Sequence, residues 1–355
     1  MTKKEKLILL MAIIVTAISG FFYYTHFNAV IAFIVTAAAL ALLAMIVGDA
    51  TEQLGDRFSP AVTGIIQSAL GNLPELFVCI FALRAGLDKM VQAALIGSVL
   101  GNSVLVLGVA LFIGGLKNGK QVFRSGPPKN ISIMMILAFG ALAIPTFTSM
   151  FHTTAEIHLN TLDIFLAIIL LAMFIGSLFF SLKSEAANES EKEEKNKGEK
   201  HAAWPLSITL VVLLLSGVAA AFVSDWFIDA LQPAMKIVGI NETFAGLVVV
   251  ALAGNAIENV IGVQLAYKNK MDYSVSVIQN SSLQISLVLF PVLVLLSFVL
   301  GGAILSFVLT PMLLVCLGLG VLVSTFIVFD GESIWIEGLA LIGLYLLIAA
   351  AFWWG

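Results

Sequence analysis

Gly71-Asn72-Leu73-Pro74-Glu75 returns 183 residues later as Gly254-Asn255-Ala256-Ile257-Glu258. The same offset sets Ala69-Leu70 against Leu252-Ala253 and Ser98 against Ser281. Both copies sit within long apolar runs, so the reading of this pair decides the architecture. Working outward, apolar runs of about 18 to 25 residues, long enough to cross a hydrocarbon core, recur along the whole chain. They fall near 7–24, 28–48, 60–84, 90–115, 131–150, 160–182, 204–224, 243–267, 273–299, 303–325 and 333–353. Polar, Gly or Pro breaks separate them, as at Gly48-Asp49, Gly86-Leu87-Asp88, Gly126-Pro127-Pro128 and Asp330-Gly331. This predicts an all-α polytopic membrane protein of about eleven spans. The weakly marked gap between the last two leaves ten open.

Composition points the same way. The 355 residues are 60% hydrophobic and 11% charged, with a mean hydropathy of +1.06, against about 25% charged residues in a soluble domain. So little charge cannot cover a surface facing water, and lipid is the expected solvent. No basic stripe with interleaved aromatics exists, so nucleic acid is not an expected partner. The cysteines, Cys79 and Cys316, lie in apolar runs and suggest neither a disulfide framework nor a metal cluster. Lysines 3, 4 and 6 before an apolar stretch resemble a signal peptide. The stretch runs to about Tyr24 without a small-residue cleavage pattern, which favours a retained first helix.

The two Gly-Asn motifs occupy the third and eighth spans. Five crossings separate them, and an odd number makes the two helices run in opposite directions. This is the pattern of inverted-topology repeats, which place a binding site near the bilayer midplane between the halves. The expected division is an extra N-terminal helix (1–27), a first repeat of spans two to six (28–182), a charged loop (183–203) and a second repeat of spans seven to eleven (204–355). The run from Glu185 to Lys200 holds six Glu and four Lys and reads as a solvated linker. With the N-terminus in the cytoplasm, 15 of the 18 Lys and Arg lie on the inside, leaving only Arg84, Lys89 and Lys236 outside. Positive charge favours the cytoplasmic side. The expectation is therefore a plasma-membrane protein with its N-terminus and the 184–202 loop in the cytoplasm and its C-terminus outside.

Glu75 and Glu258 stand near the middle of their spans. A charge at the bilayer centre costs about 2.5–3.5 kcal/mol on insertion scales, and no Lys or Arg at depth offsets it. A bound cation, a proton, or each in turn is the natural partner; permanent protonation inside the bundle is the alternative. Asn72 precedes Glu75 by three residues, and Asn255 precedes Glu258 likewise, so each pair shares a helix face. Gly71 and Gly254, with Pro74 in the first motif, loosen the helix and free backbone carbonyls. Carboxylate, amide and carbonyl oxygens form a hard-oxygen set suited to calcium, whereas zinc or copper would call for His or Cys. The four histidines lie in or near loops. Burial favours the protonated carboxyl and a divalent cation displaces the proton. One carboxylate pair can then hold calcium or protons but not both, which is an antiporter. Sodium coupling stays open, because Asn, Ser and carbonyl groups could serve sodium. An intramembrane enzyme lacks a nucleophile–His pair or HExxH at depth. A channel fits paired deep carboxylates less well than alternation does.

Ala253-Gly-Asn-Ala-Ile-Glu258, with Ala266-Tyr-Lys-Asn-Lys-Met-Asp272 and Ser281-Ser-Leu-Gln-Ile285, resembles the second signature region of the cation/proton exchanger (CAX) family of calcium/proton antiporters, within the cation/calcium exchanger superfamily. Gly71 to Glu75, Gln92-Ala-Ala-Leu-Ile-Gly-Ser98 and Leu105-Val-Leu-Gly108 resemble the first. The resemblance implies that Glu75 and Glu258 carry cation and protons, with Asn72 and Asn255 beside them. Gly71, Gly254, Ser98, Asn102, Ser281 and Gln284 would support the same cavity, and Glu52 would sit at the cytoplasmic mouth. Taken alone, Glu52 reads equally well as a solvated loop charge. The resemblance also implies alternating access, calcium and protons as the transported ions, and no resident cofactor; a homo-oligomer is open. There are four departures: Asn259 takes the place of the family's usual His, Pro74 is closer to the sodium/calcium exchangers, Asn102 stands in a Gly101-Asn102-Ser103 run where a Ser-Asn pair is commoner, and Asn280 takes a place often held by Gly.

Overall fold

Apolar helices make up nearly the whole chain. The computed structural model describes residues 3–55, 57, 70–124, 126–189 and 204–354. The helices are α1 (Lys3–Tyr24), α2 (Ala29–Gly55), α3 (Leu73–Arg84), α4 (Asp88–Asn118), α5 (Gly126–Met150), α6 (Leu159–Glu189), α7 (Leu206–Val238), α8 (Glu242–Gly254), α9 (Ala256–Tyr267), α10 (Met271–Leu300), α11 (Pro311–Phe329) and α12 (Trp335–Trp354). Among the described residues nine helices are long and apolar enough to cross a membrane, or ten if the bent pair α8–α9 is one span. The eleven-span expectation differs through the third span, whose first part (60–69) lies outside the described residues. Most of the charged loop, 190–203, also lies outside them.

Two expected boundaries are corrected. The seventh span, expected to end at 224, continues as helix to Val238. Asp225 and Asp229 interrupt the apolar run, but Phe227, Ile228 and Leu231 are buried behind them and packing prolongs the helix. The tenth span, expected over 303–325, is helical only from Pro311. Thr310 caps it by accepting the Leu313 N–H, and residues 303–310 before it are non-helical backbone. An apolar run cannot by itself distinguish buried strand-like chain from helix.

The chain divides into two compact units, 1–78 with 171–231 and 79–170 with 232–355. In the first, α1 and α2 form a hairpin in which the Ser19 hydroxyl donates to the Val35 carbonyl (3.4 Å). The face of α1 at Gly20 and Tyr23 lies against the Trp226 indole of α7, with Tyr23 stacked at 5.7 Å. Buried Trp204 ties three helix ends together at the opposite end of α1. Its backbone N–H donates to Gln53, its indole N–H to Glu5, and its carbonyl accepts from Arg57.

In the second unit, α4 touches two partners backbone to backbone. A Cβ at Gly97 would lie 2.1 Å from the Leu247 carbonyl oxygen, and one at Gly246 would lie 2.3 Å from that of Met90, so α4 and α8 close on paired glycines. Gly108 and Gly338 play the same part between α4 and α12. Small residues at contacts are how helices approach closely where lipid replaces water. The connections after α4, α9 and α11 meet at one end of this unit. Gln121–Val122 (β1) pairs antiparallel with Glu332–Ser333 (β2). The Arg124 N–H donates to Asp272 (2.6 Å), Gln121 donates to Asn269 (3.2 Å), and Lys117 lies 3.4 Å over the Tyr267 ring. The charge reading assigns these three connections to one side, and they do gather.

The 183-residue offset recurs in the element bounds. α3 and α9 begin and end 183 residues apart, Asp88 and Met271 open α4 and α10, and Pro128 answers Pro311. Both α4 and α10 widen into a π-helical turn partway along, at Gly101–Val106 and Ile285–Leu289.

Candidate ion-binding site

The second Gly-Asn motif breaks its helix. Asn255 has φ −100° and ψ 23°, outside helical geometry, and α8 and α9 meet there at 62°. A broken helix at membrane depth must place its freed polar groups against protein or a cavity. Asn255 is buried, and its amide donates to the Ser98 hydroxyl (2.9 Å) on α4 and to the Ala251 carbonyl (3.0 Å). Its oxygen accepts from Asn102 (3.3 Å), whose amide also donates to the Ser281 hydroxyl (2.8 Å) on α10. One buried chain of amides and hydroxyls thus joins three elements: Ser98–Asn255–Asn102–Ser281. The π-helical turn beginning at Gly101 adds a residue to the helical turn, and Asn102 lies within it.

Four of the residues predicted from sequence are therefore brought together: Ser98, Asn102, Asn255 and Ser281. Gln284 is half-buried one turn beyond Ser281, and Gly254 is the last residue of α8. Glu75 (2% exposed) and Asn72 (8%) belong to the other unit, where Gly71 and Asn72 form the turn that opens α3. Burial of Glu75 in so apolar a chain demands a compensating partner. Glu258 lies on the first turn of α9, and its side chain lies outside the described residues. Glu52 is exposed near the end of α2. Among the described residues no group of three or more His, Cys, Asp or Glu clusters as a metal site. A cation here would draw on amide, hydroxyl and carbonyl oxygens beside the glutamates. Asp163 was not singled out from the sequence. It is fully buried on α6 and accepts the Phe307 N–H (3.3 Å), and a lone acid inside the apolar run 160–182 was the available signal.

The family model described as "Sodium/calcium exchanger protein" matches residues 28–183 and 208–354, most of the chain. The chain belongs to the sodium/calcium exchanger protein family. Within this exchanger family it is similar to the Ca(2+)/H(+) antiporter of Aphanothece halophytica, 33% identical over 93% of this chain and 92% of that protein. It is likewise similar to the Ca(2+)/H(+) antiporter ChaA of Bacillus subtilis, 33% identical over 92% and 93% of the two chains. Among solved structures, native YfkE superposes with a TM-score of 0.83 at 30% identity, covering 98% of this chain and 100% of that chain. The expected resemblance to calcium/proton antiporters is borne out.

Proposed function

We propose that the protein exchanges calcium for protons by alternating access, with Glu75 and Glu258 holding cation or protons in turn. The observation that carries this is the break at Asn255. There the motif asparagine ties α4 and α10 together through buried amide and hydroxyl groups, one turn before a glutamate. Such a break exposes oxygen ligands of the kind calcium accepts. Buried Glu75, beside Asn72 in the matching motif, is the counterpart in the first half. The repeated element bounds support an inverted pair of repeats, and the similarity to two Ca(2+)/H(+) antiporters over nine-tenths of the chain supports the coupling ion. In this reading calcium and protons are substrates, and no resident cofactor takes part. The protein would lie in the plasma membrane, exporting calcium against the inward proton gradient.

The test is calcium uptake into inside-out vesicles. An imposed pH gradient should drive it, collapse of that gradient should abolish it, and a sodium gradient should not replace it. The rival reading, sodium coupling, draws on Pro74; uptake sustained by sodium alone would establish that rival instead.

A further inference from the structure

Residues 303–310 run as non-helical backbone through the second unit, with Leu305, Phe307 and Leu309 buried in alternation. Buried backbone that is neither helix nor sheet must find hydrogen-bond partners outside a regular ladder. Each buried residue's N–H has one. Leu305 donates to the Ser297 hydroxyl (3.0 Å), Phe307 to the Asp163 carboxylate (3.3 Å) and Leu309 to the Thr146 hydroxyl (3.1 Å). The carbonyls of Ser306 and Val308 accept from one amide, Gln92, at 2.8 and 3.0 Å. Gln92 stands on α4, six residues before Ser98 of the asparagine network. The segment is therefore a bridge between α6 and the helix that carries half of that network.

The repeat offset sharpens its meaning. Phe307 lies 183 residues after Arg124, and the Arg124 N–H is also accepted by an aspartate, Asp272 (2.6 Å). Both connectors lead to a proline at the same offset, Pro128 and Pro311. The two aspartates come from unrelated positions, one exposed on the first turn of α10, the other buried on α6. The same backbone position is thus held by a carboxylate at both connectors although the helices supplying it differ. An aspartate buried merely to fill space would be a costly choice beside an apolar residue.

We propose that Asp163 is a positioning residue for exchange: it clamps the 303–310 connector, which through Gln92 sets the seating of α4 and so of Ser98 and Asn102. The transport part of this inference rests on the calcium/proton reading; the clamp itself does not. Hydrogen–deuterium exchange on the purified full-length protein reads the clamp directly. Asp163→Ala should speed exchange of the 303–310 amides at least tenfold, while Asp163→Asn, whose carbonyl oxygen still accepts the Phe307 N–H, should keep them protected. In vesicles, normalised to folded protein, Asp163→Ala should raise the KM for calcium at least fivefold. Gln92→Met, which keeps volume and removes only the donor, should do the same, and Asp163→Asn should leave KM within twofold. Should Asp163→Ala not fold, Gln92→Met and Asp163→Asn carry the test. Unchanged amide protection in Asp163→Ala, an unchanged KM in Gln92→Met, or an Asp163→Asn as impaired as the alanine variant would overturn the proposal, the last by pointing to charge rather than the hydrogen bond. Wild-type vesicles without calcium/proton exchange would sink the function reading, while the amide-exchange arm would still decide the clamp.

Discussion

Asn102 makes two donations from one side chain, to the Ser281 hydroxyl and to the Asn255 oxygen, and both bonds are fully buried. Alanine there leaves two buried acceptors without their donor, each worth about 1–3 kcal/mol. Asn102→Ala should therefore raise the KM for calcium by about tenfold or more, since each 1.4 kcal/mol is about a factor of ten; an unchanged KM in vesicle uptake would remove Asn102 from the site. Glu75→Gln and Glu258→Gln keep shape and remove charge. Each should abolish exchange while the protein elutes as a folded species, and full exchange by either would refute the shared-carboxylate mechanism. Asn255, Ser98 and Ser281 were legible because the repeat sets Asn255 against Asn72 and Ser98 against Ser281, and Asn102 entered through the family resemblance. Their bonding was not legible, since it depends on the break at Asn255 and the π-helical turn at Gly101–Val106. Asp163 escaped because its role is fixed by a backbone amide 144 residues away, and no local pattern records such a partner.

Helix identity was readable from apolar length alone, and helix ends were not. Phe227 and Leu231 pack well enough to carry α7 past two aspartates, whereas Gly301 at φ 72° turns the chain out of α10 into a stretch that only looks helical. Contact between elements depends on glycines that composition cannot rank. Gly97 and Gly140 both lie in membrane helices, yet a Cβ at Gly97 would strike the α8 backbone and one at Gly140 would meet nothing within 4 Å. Gly97→Ala must push α4 and α8 apart. The expected loss is about 1–3 kcal/mol or more, visible as a lower midpoint in thermal unfolding followed by size-exclusion. Gly140→Ala, gaining helix propensity of up to about 1 kcal/mol, should leave the midpoint unchanged or slightly higher. Equal losses in both would mean that glycine content, rather than backbone contact, sets stability.

Across the whole molecule, the connections after α4, α9 and α11 meet through the β1–β2 pair and the Arg124–Asp272 and Gln121–Asn269 bonds. Lys117, Lys120, Arg124, Lys129, Lys268 and Lys270 all belong to these connections or their flanks. Six cations gathered at one end lead us to propose that this end is cytoplasmic, by the positive-inside tendency, as the charge count along the sequence proposes for the N-terminus. Arg84, Lys89 and Lys236 then fall at the opposite end. The native cysteines do not interfere with a labelling test, since Cys79 and Cys316 are 1% and 3% exposed. In intact cells, Lys236→Cys should react with a membrane-impermeant maleimide, and Lys120→Cys and Lys268→Cys should react only after the membrane is opened. Reversal of that pattern would invert the topology without reversing the transport, because protons moving inward through an antiporter drive calcium outward whichever way the helices are inserted.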